Sequence, residues 1–167
     1  MPAEPRTGRG RASRERIVER AAELFAEQGV AATSLDEVLA GLTQALGAVA
    51  SLAELERALA GFADGYEQMG LPGCPIGSLA AEVAERNEDA RLQTAAAFDA
   101  WERLFADALE RMRDRGELRA DASLAALATA LLASIEGGMV LSQTRKDPAS
   151  LRIAVQAGLA HVRSYLD

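Results

Sequence analysis

Apolar residues recur along this chain at steps of three and four, segment after segment, and nowhere alternate over a stretch long enough for a strand. The last stripe is the clearest: Leu151, Val155, Leu159, Val162 and Leu166 fall four, four, three and four residues apart, which lines one face of an α-helix. Residue types agree with the period. Of 167 residues, 36 are alanine and 22 leucine, and aromatics make up 4%. Alanine and leucine are strong helix formers, and the types that favour strands are scarce. The sequence predicts an all-α protein.

Helix starts and stops divide the chain. From Ser13, the residues Ile17, Val18, Ala21, Ala22, Leu24 and Phe25 mark a short helix that Gly29 stops. Ser34 and Glu37 form a capping box for a second helix from Leu35, and Ser51 and Glu54 repeat the box. The third helix then carries Leu52, Leu55, Leu59, Phe62, Ala63 and Tyr66 to about Gln68. Two prolines and two glycines make Leu71 to Gly77 irregular, and a short helix is expected over Ser78 to Glu85. Asn87 caps the longest helix, about Glu88 to Arg115 and ~40 Å long, which Gly116 ends. Asp121 is expected to cap a helix from Ala122 to about Thr144, and Asp147-Pro148 to open the last. Gly137, Gly138 and Gly158 each cost about 1 kcal/mol relative to alanine inside a helix, so they point to close helix approach or a kink facing a ligand.

Several classes are excluded. At 49% hydrophobic and 26% charged the chain is too apolar for disorder, and no membrane span is expected from its apolar runs. One cysteine, Cys74, and one histidine, His161, leave no disulfide framework, and no metal or cofactor is expected. An inert thiol is the expectation at Cys74, and a surface or interface position at His161. The first twenty residues lack the apolar stretch of a signal peptide, so a cytoplasmic protein is expected. Phosphate-loop, GxSxG and HExxH motifs are absent, which speaks against an enzyme.

Charge is uneven. Net charge is −7, yet Met1 to Arg20 carries six arginines against three acids, leaving −10 on the rest. A basic arm on an acidic body suits contact with nucleic acid, although a solvated terminus has the same composition.

With that arm in place, Phe25-x3-Gly29-x3-Thr33-x4-Val38-Leu39-Ala40 resembles the entry to the DNA-binding domain of TetR-type regulators. Gly73-Cys74-Pro75-Ile76-Gly77-Ser78-Leu79-Ala80 looks like a segment of the LmrA/YxaF-like branch of that family. The resemblance implies a helix-turn-helix head, residues 1–46, and a helical ligand-binding and dimerisation domain, residues 47–167. It implies phosphate contacts from Arg9, Arg11 and Arg14 and from Thr33 and Ser34 at a helix N-terminus, on a double-stranded DNA operator.

One departure stands against the match. Where the family has a recognition helix rich in aromatic and basic residues, Ala40 runs straight into Gly41-Leu42-Thr43-Gln44, and no lysine or arginine occurs between Ala40 and Arg57. Either the chain has lost the helix that would read base edges, or the native protein carries residues that this sequence does not show.

Phe62, Tyr66, Met69, Phe98, Trp101, Phe105 and Met139 hold most of the large adaptable side chains, and with Gln143 they are the expected lining for a small apolar or aromatic ligand. Plain core is the competing assignment for each. Leu127, Leu131, Ile135, Leu151, Val155, Leu159 and Val162 are expected to pair the last two helices with their copies in a homodimer. The function so implied is a ligand-responsive transcriptional repressor. The alternative is a DNA-binding-deficient module that sequesters a small molecule or forms mixed dimers, and an enzyme on this scaffold is a third reading without a catalytic constellation.

Overall fold

The computed structural model describes residues 43–71, 73–74, 76–77, 80 and 87–166. Among these residues four long helices follow in chain order: α1 (Leu52–Gln68), α2 (Glu88–Asp114), α3 (Leu124–Arg145) and α4 (Ala149–Arg163). Among the described residues the one strand-like pairing is an isolated bridge between Leu118 and Leu166. The expected helices from Ser13 and Leu35, the arm and most of the Ser78 to Glu85 helix lie outside the described residues.

Local chemistry sets most helix ends where the sequence places them. Ser51 Oγ accepts from the Glu54 amide at 3.3 Å, and the Glu54 carboxylate accepts from the Ala50 amide at 2.8 Å. That closes the box ahead of α1 and holds the Glu54 carboxyl below its usual range. Asn87 Oδ1 accepts from the Ala90 amide at 3.0 Å to start α2. Gly70 and Gly116, at φ 81° and 76°, turn the chain away after α1 and α2. The start of α3 differs from expectation. Ser123, not Asp121, is its N-cap, accepting from the Ala126 amide at 3.4 Å, because the Asp121 carboxylate is taken by Arg119 at 3.0 Å.

Side-chain contacts fix the helix directions. Phe62 meets Trp101 and the Leu52 amide meets Glu117, so α2 runs back along α1. Arg152 pairs with Asp64 and Glu67, and Arg163 with Glu56, so α4 is also antiparallel to α1. Gly138 lies against Leu151 and Ala154, and Gly158 against Leu131 and Ser134, which makes α3 antiparallel to α4. The result is an up-down bundle with α1 parallel to α3. The α3–α4 seam is the tightest: a Cβ at Gly138 would stand 2.9 Å from Leu151 Cα, so glycine alone lets these backbones meet.

One core joins all four helices, with Leu55 and Leu59 of α1, Phe105, Leu109 and Met112 of α2, and the inner stripes of α3 and α4. That arrangement corrects the expected dimer contacts. Leu127, Leu131, Ile135, Leu151, Val155, Leu159 and Val162 are all buried inside the single chain, filling the seam between its own helices, and offer no surface to a copy. The surface left outside is different. Val140 is 52% exposed, Leu141 43% and Ile153 69%.

A second correction concerns apolar length. The α3 helix is long and apolar enough to cross a membrane by length and composition alone, contrary to the expectation of no such run. Leucine, isoleucine, methionine and valine, with alanines between them, spread its apolar character over most of the circumference, so no single stripe stands out.

Candidate ligand-binding site

The expected ligand residues divide into three groups. Tyr66, Trp101, Phe105 and Met139 are buried together in the core, and Phe62 and Phe98 are half-buried against it. Met69 is 68% exposed at the C-cap of α1 and takes no part in this interior. Gln143, half-buried on α3, stands beside Gly73, where any Cβ would strike its amide.

Tyr66 was expected to line a ligand site, but its hydroxyl is engaged. It donates to the Met139 carbonyl at 3.1 Å and accepts from the Gly73 amide at 3.1 Å. The phenol therefore fastens Gly73, at positive φ like Leu71, onto α3. Burial raises its pKa, so it remains a neutral donor.

Trp101 differs. Its side chain is 1% exposed, its ring meets Phe62 edge to face at 6.4 Å, and its indole Nε1–H has no acceptor. A second orphan is Oε1 of Glu136, buried and without a donor. The Glu136 carboxyl is pushed above its usual range by burial, opposed by a hydrogen bond from the Cys74 thiol. Its other oxygen faces Gly77, where a Cβ would lie 2.8 Å away. The Cys74 thiol is itself pushed up to about 12, first by burial and then by the adjacent Glu136 charge. At neutral pH it is a protonated donor and a poor nucleophile. Glu136 was missed in the sequence, yet a signal existed: it is the single charged residue between Leu124 and Thr144.

On the outer side of Phe62 an open groove of ≈ 580 Å³ runs between α1 and the turn before it, lined by Ala45, Val49, Ala58 and Phe62 with Glu54 and Arg57. Its volume falls in the usual range for small-molecule sites. Nearby, Arg111 of α2 donates to the carbonyls of Leu46 at 2.7 Å and Val49 at 2.8 Å. The chain entering α1 is thereby tied to the helix that carries Trp101.

Residues 48–157 match the family model for the C-terminal domain of LmrA/YxaF-like transcriptional regulators. The chain belongs to this family. The crystal structure of regulatory protein TetR from Rhodobacter sphaeroides superposes on this LmrA/YxaF-like chain with a TM-score of 0.71 at 28% identity, covering 81% of this chain and 75% of that one. The all-α fold is therefore that of TetR-type regulators, and both fold and family are those of transcriptional regulators. No protein of curated function matches the chain. The DNA-contact residues expected of such a regulator, Arg9, Arg11, Arg14, Thr33 and Ser34, lie outside the described residues.

Proposed function

We propose that this protein is a cytoplasmic, dimeric, ligand-responsive repressor, released from operator DNA when a small aromatic molecule enters the interior bounded by α1, α2 and α3. The observation that carries the ligand reading is the pair of buried polar atoms left unsatisfied there, Trp101 Nε1 and Glu136 Oε1. Native interiors rarely leave such groups without a partner. Arg111 supplies a route outward. It lies ten residues beyond Trp101 on α2, about 15 Å along the helix, and grips the carbonyls of the chain that enters α1 from the head. A ligand that displaces α2 changes that grip, and so the spacing of the two heads on DNA.

Dimerisation is supported by the outer surface of α3 and α4. A helix apolar on all sides is stable in water when both of its faces are covered, and α3 covers only its inner one within the chain. A copy of the same helices is the partner that supplies such a surface symmetrically. No catalytic role is assigned.

The competing reading is a sequestering module that does not bind DNA selectively. It is favoured by the absence of lysine and arginine between Ala40 and Arg57. Fluorescence anisotropy on DNA from upstream of the protein's own gene separates the two. A repressor shows selective binding that weakens steeply with salt and is relieved by ligand, whereas the basic arm alone yields weak, unselective binding. The intact mass of the protein made from its native gene decides whether a recognition helix exists.

A further inference from the structure

Resting on the ligand-regulated reading, the geometry points to the chemical class of the ligand: a compact aromatic molecule carrying an acceptor for Trp101 Nε1–H and an amine that donates to Glu136 Oε1. Register places the two orphans together. Tyr66 of α1 is level with Met139 of α3 through its hydrogen bond, and α1 and α3 are parallel. One turn back along both helices, Phe62 is therefore level with Ile135 and Glu136. Phe62 is also the residue whose ring meets Trp101. The contact of Glu102 with Thr129 at 2.7 Å ties α2 and α3 directly, so donor and acceptor lie within about two turns of each other, each unpaired.

Their chemistry is complementary to one kind of guest. An indole N–H only donates, so it selects a hydroxyl, ether or carbonyl oxygen. A carboxylate only accepts, so it selects a donor, and a cationic amine is the donor that recovers most of the free energy lost on burying the charge. The same core holds side chains suited to a ring, Phe105 and Met139, with Phe62 packed against it. Phe62 also lines the ≈ 580 Å³ groove, so the groove reaches the ring that meets Trp101. Tyr66 adds selectivity by abstaining: its proton is committed to Met139, which leaves Trp101 as the donor facing the guest.

Calorimetry on the full chain tests this with a ladder of para-hydroxybenzylamine, tyramine and para-aminopropylphenol, each against its des-amino partner para-cresol, para-ethylphenol and para-propylphenol. The expected result is that at least one amine binds about tenfold or more tightly than its partner, as a charge-assisted hydrogen bond gives. The emission of Trp101, the single tryptophan, should shift on binding. Glu136→Gln should bring the pair to within about threefold while leaving the phenol's own affinity intact. Trp101→Phe, which keeps a ring and loses the donor, should weaken both members about equally. Equal binding of amines and phenols by the native protein, or a preference that survives in Glu136→Gln, overturns the inference while the ligand-regulated reading stands. Binding of neither series overturns both and leaves the two atoms to a trapped water.

Discussion

The hydroxyl of Tyr66 on α1 donates to the carbonyl of Met139 on α3, across helices that are not consecutive in the chain, at 3.1 Å. The same oxygen accepts from the buried Gly73 amide. Removing it in Tyr66→Phe leaves that N–H without a partner, at a cost of about 1–3 kcal/mol. Urea unfolding should show a lower midpoint with an unchanged slope.

Glu136 makes the protein lose stability as pH rises. Burial raises its folded pKa above the unfolded value, so its contribution is fully present below the ordinary carboxylate range and declines as pH climbs through the raised pKa. The carboxyls of Glu54, Glu88 and Asp121 are held low and act in the opposite sense, so the informative quantity is a difference. Native stability minus that of Glu136→Gln, measured by urea unfolding between mildly acidic and neutral pH, should fall with rising pH. A flat difference would show that the carboxyl is solvated.

Two helical glycines should respond to alanine with opposite signs. At Gly138 a Cβ meets Leu151 Cα, which is backbone and has no rotamer to escape into. Overpacking there costs about 1–3 kcal/mol. Gly65 of α1 has nothing within 4 Å of the same position, so Gly65→Ala should stabilise by about 0.5–1 kcal/mol. Thermal melts of the two variants check the pair.

Charge on the outer face of α3 and α4 should separate copies without disturbing the core. Val140→Asp combined with Ile153→Asp changes two side chains that are largely exposed in the single chain. Light scattering at micromolar concentration should return twice the 17.6 kDa chain mass for the native protein and the single mass for the variant. Circular dichroism should be unchanged.

Cys74 should resist thiol reagents while the protein is folded. With its pKa pushed up to about 12 by burial and by Glu136, the thiolate is negligible at pH 8. Ellman's reagent should react slowly with native protein and stoichiometrically after unfolding in urea. Fast native reaction would overturn the assignment of Cys74 as an inert, protonated thiol.

Local rules carried far in the sequence because their partners lie within one turn. The Ser51–Glu54 box, the Asn87 cap and the stops at Gly70 and Gly116 each need residues no more than three or four apart. Where a second local partner competed, as Arg119 does for Asp121, the cap moved to Ser123. Periodicity also identified the apolar faces of α1 and α4.

Tertiary structure alone decided what covers each face. The stripe from Leu127 to Val162 has the same period whether it meets its own chain or a copy, and the close approach at Gly138 settled it inside the chain. The polar site depended on distance in the same way. Tyr66 looked like a free donor until the Met139 carbonyl, 73 residues away, accepted its hydrogen bond. Glu136 became a candidate only when the parallel register of α1 and α3 set it near Trp101. A sequence specifies which atoms can donate or accept, but satisfaction is a property of three-dimensional neighbours, and so the unsatisfied pair emerges only in the folded chain.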